Sequence, residues 1–72
     1  MPPSAYVAMP LLREQRFAVA MTQVELALAA GTSATTIRRL EAGRTTRPEL
    51  VARLSRFFES EHARWAAQTL TA

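Results

Sequence analysis

Between Thr22 and Ser33 the sequence begins one helix, ends it and begins another. Thr22 is followed three residues later by Glu25, and this spacing is a capping box, in which each side chain accepts a hydrogen bond from the other residue's backbone N–H. Gly31 favours the left-handed conformation that commonly ends a helix, and Ser33 is a good cap for the next one. Because only Thr32 separates the two signals, the helices must meet at a tight turn.

The apolar spacing on either side of this turn indicates which residues face inward. For the first helix these are Leu26, Ala27 and Ala30, and for the second, which ends at Gly43, they are Ile37, Leu40 and Glu41. Two short helices joined by a glycine-containing turn are typical of a helix-turn-helix motif. The sequence therefore predicts such a motif at about residues 22–42.

Proline marks the start of two further helices. Pro10 suits the first turn of a helix of about ten residues, and Pro48 suits the first turn of a longer one. Their inner faces are Leu12, Arg16 and Val19 in the first, and Leu50, Val51, Leu54, Phe57 and Phe58 in the second. We expect a break near residues 59–60 and a separate C-terminal segment at about 60–70, the alternative being one helix that continues to about Leu70.

The predicted fold class is all-α, a compact domain of four or five helices at residues 10–72. Residues 1–9 contain two adjacent prolines and no helical period, so we predict a flexible N-terminal arm there. A chain of 72 residues buries a small fraction of its surface, and its core must be thin.

The composition limits the chemistry of such a domain. With no cysteine, no aspartate and one histidine, we expect no disulfide, no metal site and no cofactor. No set of nucleophile, base and orienting residue can be assembled, so we expect no catalytic residue and no enzyme. The chain also lacks the roughly 18 uncharged apolar residues of a membrane span, and we expect a soluble, cytoplasmic protein with no membrane partner.

The charge is unevenly distributed along the chain. Residues 32–48 hold four of the nine arginines against one glutamate, whereas the rest of the chain holds five arginines against five glutamates. The whole net charge of +3 therefore lies in that segment. A localised positive patch is typical of a surface that binds a phosphate backbone, and a solvated arginine-rich face is the alternative interpretation.

Most of the chain resembles a known family. The Cro/phage-repressor type of helix-turn-helix, the Xre family, is similar to TQVELALAAGTSATTIRRLEAGRTTRPELVARL, and phage-repressor DNA-binding domains are especially similar to GTSATTIRRLEAGRTTRP. The resemblance covers roughly residues 10–58. The matching positions are Gln23 at the start of the motif, Ala27 at its fifth position, Gly31 at its ninth and Ile37 at its fifteenth.

The resemblance implies a lambda-repressor-like fold and sequence-specific binding of double-stranded DNA, with residues 33–42 as the recognition helix in the major groove. It implies a homodimeric transcriptional regulator, a repressor of phage, plasmid, antitoxin or developmental type, at the nucleoid of a bacterial or phage-infected cell. An interaction module of the same fold that binds an acidic protein partner is the alternative. Another regulatory protein is a further candidate partner.

The candidate DNA contacts fall into two groups. Those to base edges are the outward-facing residues of the recognition helix, Ala34, Thr35, Thr36, Arg38 and Arg39. Those to phosphates are Gln23, Ser33, Arg44, Thr45, Thr46 and Arg47. By the resemblance, the base-reading positions of the phage repressors are occupied here by Ala34, Thr35 and Arg39, and a phosphate-binding glutamine of the family matches Gln23. Ordinary solvated residues are the alternative for Gln23 and the loop arginines.

Two further groups have structural or protein-binding explanations. Arg16 and Glu41 are the two charges expected near the core, where a charge is tolerable only when paired, and the matching positions of the family form such a pair; the alternative is that both reach solvent. The candidate protein interface consists of Val24, Leu28, Phe58 and Trp65. For Trp65 the alternative is a place at the bottom of the core.

Overall fold

Four helices make up the computed structural model, which describes residues 5–71 and the side chains of residues 5–68. They are α1 (Leu12–Ala18), α2 (Gln23–Ala30), α3 (Ala34–Glu41) and α4 (Pro48–Thr71). The all-α prediction is confirmed, with four helices. Within the described residues the only extended pairing is an isolated antiparallel bridge between Val7 and Thr46.

The turn between α2 and α3 forms as its local signals predict. Thr22 Oγ1 accepts from Glu25 N at 3.1 Å, and Glu25 Oε1 accepts from Thr22 N at 2.8 Å. Gly31 ends α2 in the left-handed conformation, at φ 71° and ψ 38°. Ser33 Oγ then accepts from Thr36 N at 3.1 Å and starts α3. Two capped helices thus meet across a very short connection, which fixes the angle at which α3 leaves α2.

The core lies where α2 packs against both α3 and α4 and where α1 contacts α3. Its largest fully buried side chains are Leu12, Leu26, Ile37, Leu40, Leu54 and Phe58. Arg53 of α4 adds a polar connection, because its Nη1 donates to the carbonyl of Ala30 at 2.9 Å. That carbonyl lies in the last turn of α2, where backbone acceptors lack helical partners. Arg53 therefore ties α4 to the turn that precedes α3.

The segment before α1 belongs partly to the packed domain. Val7 and Thr46 exchange two backbone hydrogen bonds of 2.8 Å, and Met9 is buried in the core. Of the predicted flexible arm at residues 1–9, residues 1–4 lie outside the described range. The packed part of the described chain thus begins before the predicted boundary at residue 10.

The predicted break near Glu59 and Ser60 is wrong, because α4 runs without interruption from Pro48 to Thr71. The physical reason is that no glycine or proline interrupts the run after Pro48, and a serine in a helix interior costs little. From Glu59 to Gln68 no residue is buried, so this half of α4 extends beyond the core. None of the described helices combines the length and apolar character that spanning a membrane requires.

Candidate nucleic-acid interface

One face of α3 is buried and the other is open to solvent. Ile37 and Leu40 are buried, and because a helix turns through 3.6 residues per turn, the side chains between them point outward. Thr35, Arg38 and Arg39 are exposed accordingly. The polar side of α3 therefore faces solvent. A helix that reads the major groove must have such an exposed polar side.

Two of the five candidate base contacts are only half-exposed. Ala34 packs against the core, and the hydroxyl of Thr36 lies 2.9 Å from Ser33 Oγ as part of the N-terminal cap. The prediction that both face fully outward is therefore corrected. The Thr36 hydroxyl is engaged with Ser33 at the start of the helix, and the short side chain of Ala34 lies against the core. Thr35, Arg38 and Arg39 are exposed.

The loop after α3 carries the remaining candidate phosphate contacts. Gly43 adopts φ 96° with open space around the position of a side chain, and Arg44 N donates to the carbonyl of Arg39 at 3.0 Å, closing the end of α3. The side chains of Arg44, Thr45 and Arg47 are exposed. Thr46 is half-buried because its backbone pairs with Val7. The loop is thus held in place by its own backbone while its arginines remain in solvent.

The structure brings Arg16 and Glu41 together. Arg16 Nε donates to Glu41 Oε2 at 2.6 Å, and Arg16 Nη2 donates to Glu41 Oε1 at 2.9 Å. Arg16 Nη1 also donates to the carbonyl of Met21 at 3.0 Å. The Phe17 ring lies 4.7 Å from Arg16 Cζ and covers the guanidinium, which is a favourable place for an exposed aromatic ring. A bidentate pair of this kind links α1 to the last residue of α3.

Gln23 and Arg13 complete the surroundings of the Glu41 carboxylate. Gln23 Nε2 donates to Glu41 Oε1 at 3.1 Å, and Arg13 Nε lies 3.6 Å from the same oxygen. The sequence assigned Gln23 to a phosphate and did not connect it with Glu41. Since an amide carries two N–H donors, one donor of Gln23 remains after this hydrogen bond. The start of α2 and the end of α3 are thereby joined through the same carboxylate.

The two partners shift each other's titration in opposite directions. The hydrogen bonds from Arg16 hold the pKa of the Glu41 carboxyl below its usual range, against the opposing effect of burial and with the help of Gln23. The hydrogen bond to Glu41 likewise raises the pKa of Arg16. Both groups are therefore charged at neutral pH, as a paired arrangement requires.

The burial of Glu41 decides the electrostatics of the exposed surface. Its side chain is 1% exposed, so the one acidic group of residues 32–48 is turned inward and neutralised by Arg16. The outward side of this segment carries Arg38, Arg39, Arg44 and Arg47, all exposed. The surface of α3 and the following loop, which we call the basic face, is therefore more positive than the sequence count of the segment indicates.

The candidate protein interface is only partly available. Val24, Leu28 and Trp65 are exposed. Phe58, which was included with them, is 2% exposed, and its ring packs edge-on against Phe57 with the centroids 5.6 Å apart. Its assignment to an interface is wrong, because Phe58 lies one helical turn from the buried Leu54 and shares its inward face.

Two residues near the basic face were missed by the sequence analysis. Tyr6 is exposed and lines two grooves beside α3, and Arg53 lines one of them. Nothing local in the sequence marks Tyr6, because its position depends on the pairing of Val7 with a distant residue. In the part of the chain that the structure describes, no three His, Cys, Asp or Glu residues cluster in a way that could hold a metal ion.

The chain was compared with known protein families, curated proteins and solved structures. A protein-family model described as helix-turn-helix matches residues 12–65. No curated protein and no solved structure matches the chain. The matched range contains all of α1, α2 and α3, the basic face and the Arg16–Glu41 pair, and it leaves out Tyr6, Val7 and Met9.

Proposed function

The chain belongs to the Cro/C1-type, Xre-like helix-turn-helix family of DNA-binding regulators, and from this we propose that it is a sequence-specific transcriptional repressor that binds its operator as a homodimer. In this proposal α3 enters the major groove. The regulator is of phage, plasmid, antitoxin or developmental type and acts in the cytoplasm, at the nucleoid.

The observation that carries the proposal is the basic face. Four exposed arginines lie on α3 and the following loop, while the nearby carboxylate of Glu41 is buried against Arg16. A surface of this kind attracts the phosphate backbone of duplex DNA and gains affinity by releasing condensed counterions. The same arrangement leaves the outward residues of α3 free to meet base edges.

The chemistry of base reading would rest on few side chains. Arg39 is suited to a bidentate contact with guanine O6 and N7, a contact that discriminates by about 1–3 kcal/mol. The methyl group of Thr35 is suited to pack against a thymine methyl, and the half-buried Ala34 contributes apolar surface beside it. Arg38 is exposed on the same side and can serve either a base or a phosphate.

Phosphate contacts would position the domain on the duplex. Arg44 and Arg47 are exposed in the loop, and the hydroxyls of Ser33 and Thr45 are further donors of the type that binds phosphate oxygens. Gln23 lies in the first turn of α2, where free backbone N–H groups favour an anion. Its remaining amide donor would reach a phosphate while the other stays on Glu41.

Dimerisation would supply affinity and symmetry. Two copies about 34 Å apart would address successive major grooves on one side of the duplex, so that the operator would be palindromic. Val24 and Leu28, exposed one helical turn apart on α2, and Trp65 on the extended half of α4 offer apolar contact area. The same exposed residues favour the second candidate, a module that binds an acidic protein.

Selection from random duplex DNA tests the proposal. A sequence-specific repressor should enrich one palindromic motif, and its affinity should fall steeply with salt in proportion to the phosphates it neutralises. For any variant that removes an arginine of the basic face, Arg64→Ala is the matched control for the loss of one positive charge. Arg64 lies outside the basic face and pairs with Glu61 on the extended half of α4. Weak, sequence-independent binding to DNA would favour the interaction module. So would binding to an acidic protein partner that duplex DNA does not displace.

A further inference from the structure

Tyr6 is held beside the basic face by the segment that precedes α1. The residue is 61% exposed, although its immediate neighbour Val7 forms two backbone hydrogen bonds with Thr46. Met9, three residues further on, is buried in the core. The backbone next to Tyr6 is thus fixed by the pairing of Val7 and by the buried Met9, while Tyr6 itself stays largely in solvent.

The surroundings of Tyr6 are basic and polar. Tyr6 lines a groove that contains Arg39 and Arg44. It also lines a second groove, which contains Arg47 and Arg53 and the turn before α3. Each of the two grooves that Tyr6 lines is thus also lined by two arginines. Glu49 also lines the second groove and reduces its positive charge.

We propose that Tyr6 is a DNA-backbone contact, its hydroxyl donating to a phosphate oxygen while its ring packs on the adjoining deoxyribose. The inference rests on the proposed DNA-binding function and adds to it a residue outside the matched helix-turn-helix range. Tyrosine hydroxyls are among the groups that bind phosphate oxygens in protein–DNA complexes. The arginines that line the same two grooves would attract neighbouring phosphates of the strand that Tyr6 contacts.

The pairing of Val7 with Thr46 makes this contact effective. Two hydrogen bonds of 2.8 Å tie the segment to the loop that carries Arg44 and Arg47, so Tyr6 and the loop arginines form one surface before DNA arrives. Ordering a free side chain and its backbone at an interface costs binding free energy. Because the backbone part of that ordering is already present in the free protein, the contact of Tyr6 should lose less of its strength to it.

The test compares Tyr6→Phe and Tyr6→Ala with the wild-type chain on the selected operator duplex. Tyr6→Phe removes one hydrogen bond to a charged oxygen and should weaken binding about tenfold or more. Tyr6→Ala also removes the ring and should weaken binding further than Tyr6→Phe does. Leu11→Ala is the matched control, since Leu11 is 64% exposed and lines neither groove, and its affinity should equal that of the wild type.

Two further readouts separate a DNA contact from a structural role. Since neither Tyr6→Phe nor Tyr6→Ala removes a positive side chain, both should keep the wild-type slope of affinity against salt, whereas a lost phosphate-binding arginine lowers that slope by about one. The selected motif should also stay unchanged, because backbone contacts carry no sequence information. Thermal unfolding of Tyr6→Phe should match the wild type, which keeps the test valid even if Tyr6→Ala loses stability.

The outcomes distinguish this inference from the proposed function. If wild-type protein enriches no motif and binds duplex DNA without salt dependence, both are overturned. If wild-type protein binds its motif and both Tyr6 variants bind as tightly as Leu11→Ala, the role of Tyr6 is overturned while the proposed function stands. A changed motif with Tyr6→Phe would overturn the assignment to the backbone.

Discussion

Arg16 and Glu41 lie 25 positions apart in sequence and share two hydrogen bonds, of 2.6 and 2.9 Å. The pair connects α1 to the last residue of α3, and Gln23 brings the start of α2 to the same carboxylate. The Glu41 carboxylate thus connects α1, α2 and α3. This arrangement holds the end of α3, and it also turns the one acidic side chain of residues 32–48 away from the basic face.

Breaking the pair from one side should cost more stability than replacing it whole. Arg16→Met removes the bidentate partner of the buried Glu41 carboxylate, and Glu41→Leu leaves the Arg16 guanidinium buried without a carboxylate. Each variant should lower the free energy of unfolding by about 3 kcal/mol, whereas the double variant should lose clearly less. Urea denaturation of the three variants and the wild type measures this as a double-mutant cycle. A loss in the double variant equal to the sum of the two single losses would mean that the two side chains act independently.

The same pair makes stability depend on acid pH. The pKa of Glu41 is lowered in the folded state, so its stabilisation is complete above the pKa of an unfolded glutamate, about 4.3. The stabilisation is lost as pH falls from there through the lowered folded pKa, since protonation then opposes folding. Below about pH 4.3 the difference in unfolding free energy between wild type and Glu41→Gln should shrink.

The other glutamates do not obscure this comparison, because wild type and Glu41→Gln share them. Urea denaturation at pH values between 7 and 3 therefore isolates the contribution of one carboxylate. If the difference in unfolding free energy between wild type and Glu41→Gln stays constant down to the lowest pH, the charge of Glu41 does not stabilise the fold.

The turn between α2 and α3 should not tolerate a side chain in place of Gly31. Gly31 adopts φ 71°, and a Cβ there would lie 3.4 Å from Arg53 Nη1. Gly31→Ala should lower stability by about 1 kcal/mol through left-handed strain, with a further loss if Arg53 moves off the Ala30 carbonyl. Gly43→Ala is the matched control, because Gly43 is also left-handed and has open space around it. Thermal unfolding of both variants separates the two effects. Left-handed strain should lower the melting temperature of both, whereas a larger loss in Gly31→Ala would reflect the contact with Arg53.

Local signals in the sequence were sufficient to predict the central motif. The capping box at Thr22, the left-handed Gly31 and the cap at Ser33 each act over a few residues, so their geometry does not depend on the rest of the fold. The inward residues of α2 and α3 follow from helical periodicity for the same reason. The roles of Thr35, Arg39 and the loop arginines at DNA stay predictions.

The Arg16–Glu41 pair was expected from the sequence and the family resemblance, but other features set by distant contacts were not. Nothing near Val7 indicates that it pairs with Thr46, and hence nothing places Tyr6 at the basic face. Ala20, two residues after α1, adopts φ 57°, although that left-handed conformation is unfavourable for alanine. Ser60 is compatible with both a cap and a helix interior, so the continuity of α4 could not be decided from its pattern.

The exposed apolar residues of α2 give a prediction about assembly. If Val24 and Leu28, which are 58% and 78% exposed, form the homodimer contact, then changing both to serine should shift the protein to monomer in sedimentation velocity. Affinity for a palindromic operator should then fall while affinity for a half-site stays the same. Leu11→Ser is the control for loss of exposed apolar area, since Leu11, immediately before α1, is 64% exposed. An unchanged sedimentation profile would show that Val24 and Leu28 do not form the dimer contact.

Arg39 and Arg44 should contribute to DNA binding in different ways, because one lies on α3 and the other in the loop after it. Arg39→Ala should relax the preference at one base position of the selected motif, at a cost of about 1–3 kcal/mol on the preferred sequence. Arg44→Ala should weaken all sequences alike and lower the salt slope by about one. Binding measured at several salt concentrations on the operator and on single-base variants separates the two effects, with Arg64→Ala as the charge control. If both variants keep the wild-type base preference, α3 does not read that position through Arg39.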